Sequence, residues 1–120
     1  MNLNHLDLPI TDIAQTCTFF ERHFGFKEVY SREDGLTVLL DEDGFALTLS
    51  PLPEGESARY PNGFHVGFNV DSEDDLFEAH RKLLASGVPI VRPLGVAGAM
   101  TFHCHAPGPL LVEVAYRPRS

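Results

Sequence analysis

Residues 4–12, Asn4-His5-Leu6-Asp7-Leu8-Pro9-Ile10-Thr11-Asp12, read as a strand running into a helix cap. Residues 62–71, Asn62-Gly63-Phe64-His65-Val66-Gly67-Phe68-Asn69-Val70-Asp71, read the same way. Each stretch sets a histidine early in its strand, and His5 and His65 are 60 residues apart. Each is followed by a helical pattern that stops at a glycine, and Gly25 and Gly87 are 62 apart. The chain is in effect written twice. Two copies of one supersecondary unit can bury a shared core and set matching side chains on facing surfaces, and a metal site can arise that way.

The first copy alternates as a half-buried strand does, with Leu6, Leu8 and Ile10 on one side and His5, Asp7 and Pro9 on the other. Asp12 with Gln15 three residues on resembles a capping box. Ile13, Cys17, Phe20 and Phe24 then recur at helical spacing, and Gly25 is a C-terminal stop. Residues 26–30, 36–41 and 45–50 read as three strands joined by turns containing Asp34-Gly35 and Asp43-Gly44. Residues 51–62, with three prolines, read as a connecting loop.

The order then restarts. In 64–70, Val66, Phe68 and Val70 share one face, and His65, Gly67 and Asn69 the other. Asp71 or Ser72 caps a helix whose buried stripe is Leu76, Ala79, Leu83 and Leu84. Residues 90–92, 100–104 and 110–116 supply the last strands, and 93–99 reads as a Gly-rich, mobile loop. The fold class is therefore α+β, one domain over 1–120 built from two βαβββ modules. Module one is about 1–50, the linker 51–62 and module two about 63–120.

Composition narrows the function. A chain of 120 residues, 43% hydrophobic and 22% charged, suits an ordinary globular domain. No apolar run approaches the roughly 20 residues needed to span a bilayer, so no membrane partner is expected. The N-terminus lacks the basic and apolar regions of a signal peptide, which predicts a cytoplasmic location. Cys17 and Cys104 form no Cys-x-x-Cys pair and read as free thiols. A net charge of −8, with nine scattered Lys and Arg, argues against nucleic acid. Much of the acidity is placed where it serves the fold. Asp71, Glu73, Asp74, Asp75 and Glu78 lie in the first turns of the second helix, where the dipole favours negative charge.

If the halves are equivalent, His5 matches His65. The last strand of the second half carries Glu113 within Leu111-Val112-Glu113-Val114. A carboxylate buried unpaired in so apolar a strand costs several kcal/mol, which a cation, a buried Arg or exposure at an edge would offset. His5, His65 and Glu113 make a 2-His-1-carboxylate set that leaves coordination positions open and suits Fe, Mn, Zn or Ni. In Phe102-His103-Cys104-His105 the two histidines alternate onto one side, His103 towards Glu113 and His105 at the rim. Either serves as a general base near neutral pH. Asp7, on the face of His5, orients that imidazole or serves as a base. His23 and His80 read as surface residues.

These stretches, with Phe19-Phe20, Phe24-Gly25-Phe26 and the final Leu111-Val112-Glu113-Val114, resemble the vicinal oxygen chelate superfamily. That group includes glyoxalase I, fosfomycin-resistance thiol transferases, extradiol dioxygenases, methylmalonyl-CoA epimerase and bleomycin-resistance binding proteins. The resemblance covers nearly the whole chain and implies paired βαβββ modules, with metal ligands at His5, His65 and Glu113. Glyoxalase-like members carry a second carboxylate on the last strand of module one, where this chain has Thr48, so an open three-ligand site is implied. Fosfomycin enzymes hold a phosphonate with a basic cluster after strand six, where residues 92–99 offer one Arg and no Lys. The familiar Asp-Pro-x-Gly turn appears as Ala106-Pro107-Gly108-Pro109. Common extradiol dioxygenases have four modules, twice the number here.

Two functions follow. One is a divalent-metal enzyme acting on a small oxygen-bearing molecule chelated at the open site, with His103 or Asp7 moving protons and Thr48, Phe45, Phe64, Phe102 and His105 lining the pocket. The other is a metal-free protein sequestering an antibiotic or toxin, in which Phe45, Phe64, Phe68, Phe102 and Tyr60 and the acidic charge suit a cationic aromatic ligand. The resemblance also implies a C₂ homodimer with each site shared between subunits.

Overall fold

A computed structural model describes residues 1–95 and 99–118, so residues 96–98 of the loop expected at 93–99 lie outside the described residues. The chain divides into two compact units, Met1–Arg59 and Tyr60–Ser120.

The first unit runs β1 (His5–Pro9), α1 (Ile13–His23), β2 (Lys27–Ser31), β3 (Thr37–Leu40) and β4 (Ala46–Ser50). Its sheet is ordered β1-β4-β3-β2, with β1 parallel to β4 and the other pairs antiparallel. Alternation decides which face is covered. Leu8 and Ile10, Leu39, and Leu47 and Leu49 are buried with Thr16, Cys17, Phe19 and Phe20 of α1. Phe20, fully buried, meets Phe19 and Phe26 edge to face at 5.3 and 5.7 Å. The Asp12 side chain accepts from the Gln15 backbone N–H at 3.0 Å, a cap that contributes about 1 kcal/mol. Gly25 follows the cap with φ +72°, a left-handed conformation that glycine adopts at little cost. The buried stripe differs from the expected one: Thr16 and Phe19 join it, while Ile13 and Phe24 are half-buried. Thr16 tolerates burial because its hydroxyl donates to the Asp12 carbonyl at 2.7 Å.

The second unit repeats the plan with β5 (His65–Val70), α2 (Glu73–Ala85), β6 (Ile90–Arg92), β7 (Thr101–Ala106) and β8 (Leu110–Tyr116), ordered β5-β8-β7-β6. Ser72, not Asp71, is the cap of α2, accepting from the Asp75 N–H at 3.0 Å. Phe102, Cys104, Leu110, Val112 and Val114 are buried with Leu76 and Leu83 of α2. Leu84, expected in that stripe, is 57% exposed, because a helix turns about 100° per residue and Leu83 already faces the sheet. β7 also continues to Ala106, two residues beyond the expected end, since His105 and Ala106 pair with Leu111 and Leu110.

The two units therefore share element order, strand order and pairing sense, which is the expected pair of βαβββ modules in an α+β fold. They share irregularities too. A register shift lies between Glu28 and Tyr30 on β2, and another between Ile90 and Arg92 on β6. No helix among the described residues is long and apolar enough to cross a membrane.

Cys17 gives this fold a pH dependence. Burial, followed by the Glu21 and Glu28 carboxylates beside it, pushes the thiol up to about 12. Its Sγ lies 3.5 Å from Glu21 Oε1 and 3.9 Å from Glu28 Oε1. The unfolded thiol ionises near pH 8.5, so above that the unfolded chain binds fewer protons than the folded one and stability falls as pH rises. We expect urea unfolding of wild type to lose up to about 1.4 kcal/mol per pH unit between pH 9 and 10.5 beyond the loss seen in Cys17→Ala. Parallel profiles for the two proteins would refute this.

Candidate metal centre

Strand register assembles the site. In β8 the odd positions Leu111 and Glu113 face away from the α2 side, which Val112 and Val114 occupy. β8 pairs Glu113 with Gly67 on one flank and with His103 on the other, and β7 pairs His103 with Arg92 of β6. Gly67, Glu113, His103 and Arg92 thus form one row across the sheet. His65 stands two residues from Gly67 on the same face, in a row with Leu111 and His105.

The side chains close up along these rows. His65, His103 and Glu113 offer ligand atoms that all lie within 4.8 Å of one another. His103 Nε2 is 3.3 Å from Glu113 Oε2, and the His65 and His103 rings meet at 5.7 Å. The Glu113 side chain is 14% exposed, with Arg117 Nη2 3.5 Å from its Oε1. A Cβ on Gly67 would lie 3.6 Å from that oxygen, so glycine keeps this flank of the carboxylate clear.

The imidazoles are held differently. His65 Nδ1 donates to the Gly63 carbonyl at 2.9 Å, which leaves Nε2 with a free lone pair. The turn that delivers this carbonyl has Gly63 at φ +82°, where a side chain would be strained. His5, exposed on β1, repeats the device: Nδ1 lies 2.8 Å from Asn4 Oδ1. An imidazole fixed through one nitrogen presents the other in the manner of metal-ligating histidines. His103 has no such anchor. It is buried, and its Nδ1 has no hydrogen-bond partner among the described residues. Burial lowers the basicity of His103; Glu113 opposes this, while His65 and Arg92 lower it further. Within the second unit, the anchored His65, the Glu113 carboxylate and the buried His103 are a donor set suited to a divalent cation of intermediate softness.

The other expected site residues fall as follows. Asp7 does not orient His5, whose partner is Asn4; its Oδ1 accepts from the Ser50 hydroxyl. Thr48 is half-buried in the row Asp7, Thr48, Val38, Tyr30. That row is the counterpart in the first unit of Gly67, Glu113, His103, Arg92, so Thr48 holds the register position of Glu113. Phe45 is half-buried ahead of β4, its N–H donating to the Asp41 carboxylate at 2.8 Å. Phe64 is exposed and stacked on Tyr60 at 5.3 Å. His105 is half-buried on the face of His103. Phe102 belongs to the core, not to a pocket: it alternates with His103, is fully buried, and meets His80 of α2 edge to face at 5.1 Å. His80 and His23 are thus half-buried rather than surface residues, His23 packing on Phe19 at 5.3 Å.

Sequence reading passed over Asn4, Arg92 and Arg117 as members of these sites. Asn4 adjoins His5, and a polar side chain next to a strand histidine was the available signal. Arg92 reaches the row through a register shift that composition does not announce. Arg117 lies beyond the end of β8, four residues from Glu113.

The chain belongs to the Glyoxalase/Bleomycin resistance protein/Dioxygenase superfamily, whose family profile matches residues 2–114. It is similar to the solved structure of a possible glyoxalase from Bacillus cereus, with 34% identity, a TM-score of 0.83, and coverage of 96% of this chain and 98% of that one. It is 32% identical to the fosfomycin resistance protein FosX of Listeria innocua over 75 residues, 60% of this chain and 56% of that protein. The chain spans little more than half the length of that curated relative. FosX from Listeria monocytogenes, solved with Mn(II) and 1S,2S-dihydroxypropylphosphonic acid, has the same fold, with a TM-score of 0.76, 21% identity, and coverage of 95% and 88%.

Proposed function

We propose that the protein is a divalent-metal enzyme acting on a small oxygen-bearing molecule at an open 2-His-1-carboxylate centre. The observation that carries this is the convergence of His65, His103 and Glu113, with ligand atoms within 4.8 Å on one sheet face. In this assignment His65 and Glu113 hold the cation. His5 is the third ligand, by its equivalent strand position and its equally anchored Nδ1. A bound cation would supply Lewis acidity, polarising a substrate oxygen or acidifying a coordinated water. The Mn(II) in the FosX structure supports a cation of this type.

His103 carries the proton. It contacts Glu113, lacks the anchor the ligand histidines have, and its lowered basicity leaves it neutral at neutral pH, ready to accept. Metal content after purification without chelators tests the assignment. Wild type is expected to hold about one cation per chain, which His5→Ala, His65→Ala and Glu113→Ala lose and His103→Ala keeps. A wild type empty in excess Mn(II), Zn(II), Ni(II) and Fe(II) would overturn the enzyme and favour a sequestering protein. Loss in His103→Ala with retention in His5→Ala would exchange the roles of those two residues.

A further inference from the structure

We infer that the second unit carries a cation-capture site of its own, in which His103 stands as third ligand beside His65 and Glu113 until His5 takes that place. This rests on the metal assignment above for the final position of the cation. The capture site takes a divalent cation of intermediate softness. While it is filled, the proton carrier is out of use.

The three side chains belong to neighbouring strands of one sheet, β5, β8 and β7, whereas His5 belongs to the other unit. Their ligand atoms already lie within 4.8 Å of one another. Donors about 2.1 Å from a tetrahedral cation sit about 3.4 Å apart, so a small adjustment closes the set on one ion. His103 Nε2 and Glu113 Oε2, at 3.3 Å, stand at that spacing. The same separation is long for a charge-assisted hydrogen bond, which draws its atoms to about 2.7–2.9 Å. The pair is therefore spaced as two ligands of one ion.

Glu113 divides its oxygens to match. Oε2 faces His103 and Oε1 faces Arg117 at 3.5 Å, so a cation on the Oε2 side leaves the arginine contact in place. His65 is exposed, which opens the set to ions from solvent.

His103 is suited to hold an ion briefly and not to keep it. Its Nδ1 is buried without a hydrogen-bond partner among the described residues, while His65 and His5 are each fixed through Nδ1. Lack of such an anchor lowers metal affinity by roughly 10- to 100-fold. His5 therefore holds the third position at equilibrium, and His103 recovers Nε2 and with it the capacity to accept a proton. An imidazole whose Nε2 is a ligand cannot take a proton there, so a captured cation alone does not make a working centre.

The probe is Co(II), whose visible absorption reports binding and which displaces the proton resonances of the imidazoles that hold it. The proteins are wild type, His5→Ala, His103→Leu and the double variant, leucine filling the volume of the buried ring without offering a donor. We expect His5→Ala to bind one Co(II) roughly 10- to 100-fold more weakly than wild type, weakly enough to be lost on purification, with two imidazoles still on the metal. The double variant should bind about tenfold more weakly again. His103→Leu should reach wild-type affinity but take up Co(II) several-fold more slowly in stopped flow. A single imidazole on the metal in His5→Ala, or equal affinity in His5→Ala and the double variant, would overturn the capture site and leave the metal assignment standing. Uptake by His103→Leu at the wild-type rate would overturn it as well. If His103→Leu binds no Co(II) while His5→Ala binds as wild type does, His103 is a permanent ligand, and the metal assignment fails together with the handing-on. Should His103→Leu not fold, the imidazole count in His5→Ala decides.

Discussion

Glu113→Gln is expected to leave the protein folded while abolishing its response to Mn(II). The carboxylate is 14% exposed within an apolar strand, beside a neutral imidazole and a loosely held guanidinium, so its charge is poorly repaid in the metal-free protein. An amide of the same shape removes that cost and keeps the contacts. Thermal unfolding of the metal-free variant should match or slightly exceed wild type. Adding Mn(II) at 100 times its dissociation constant should stabilise wild type by about 2.7 kcal/mol and the variant by nothing measurable. A variant that loses stability without metal would show that Glu113 is part of the scaffold instead. Equal stabilisation of both proteins would show that the cation binds elsewhere.

Phe102→Ala is expected to produce the larger loss of stability. The ring is fully buried, backs the strand that carries His103, and packs edge to face on His80. Truncating a buried Phe removes its transfer free energy and leaves a cavity, at about 3–5 kcal/mol. Urea unfolding should move to much lower denaturant. Were Phe102 a pocket residue, the same change would weaken ligand binding and leave the midpoint within about 0.5 kcal/mol of wild type, as ordinary surface substitutions do.

These two residues show what the sequence reveals and what it conceals. The repeat is visible because period-two alternation, caps at Asp12 and Ser72 and stops at Gly25 and Gly87 are all local signals. The same alternation that sets His103 and His105 on one side requires Phe102 and Cys104 on the other, so an aromatic next to a site residue is not thereby in the site. Leu84 shows the corresponding limit for helices, where one residue's turn separates a buried position from an exposed one. The nearness of His103 to Glu113 follows from pairing neighbouring strands through a short turn, and is legible to that extent. The row that ends at Arg92 is not, because it depends on an extra residue in β6. Nor is the pair between Arg117 and Glu113, since one member lies past the strand.

The matching register shifts in β2 and β6 carry a consequence of their own. Each strand slips at the same place, so the frame that sets four residues abreast is present in both halves. In one it displays Gly67, Glu113, His103 and Arg92; in the other Asp7, Thr48, Val38 and Tyr30. The backbone is thus a mould cast twice and filled with different side chains each time. What separates the two halves is the contents of that mould, a few side chains that can be exchanged without asking the chain to fold in any new way.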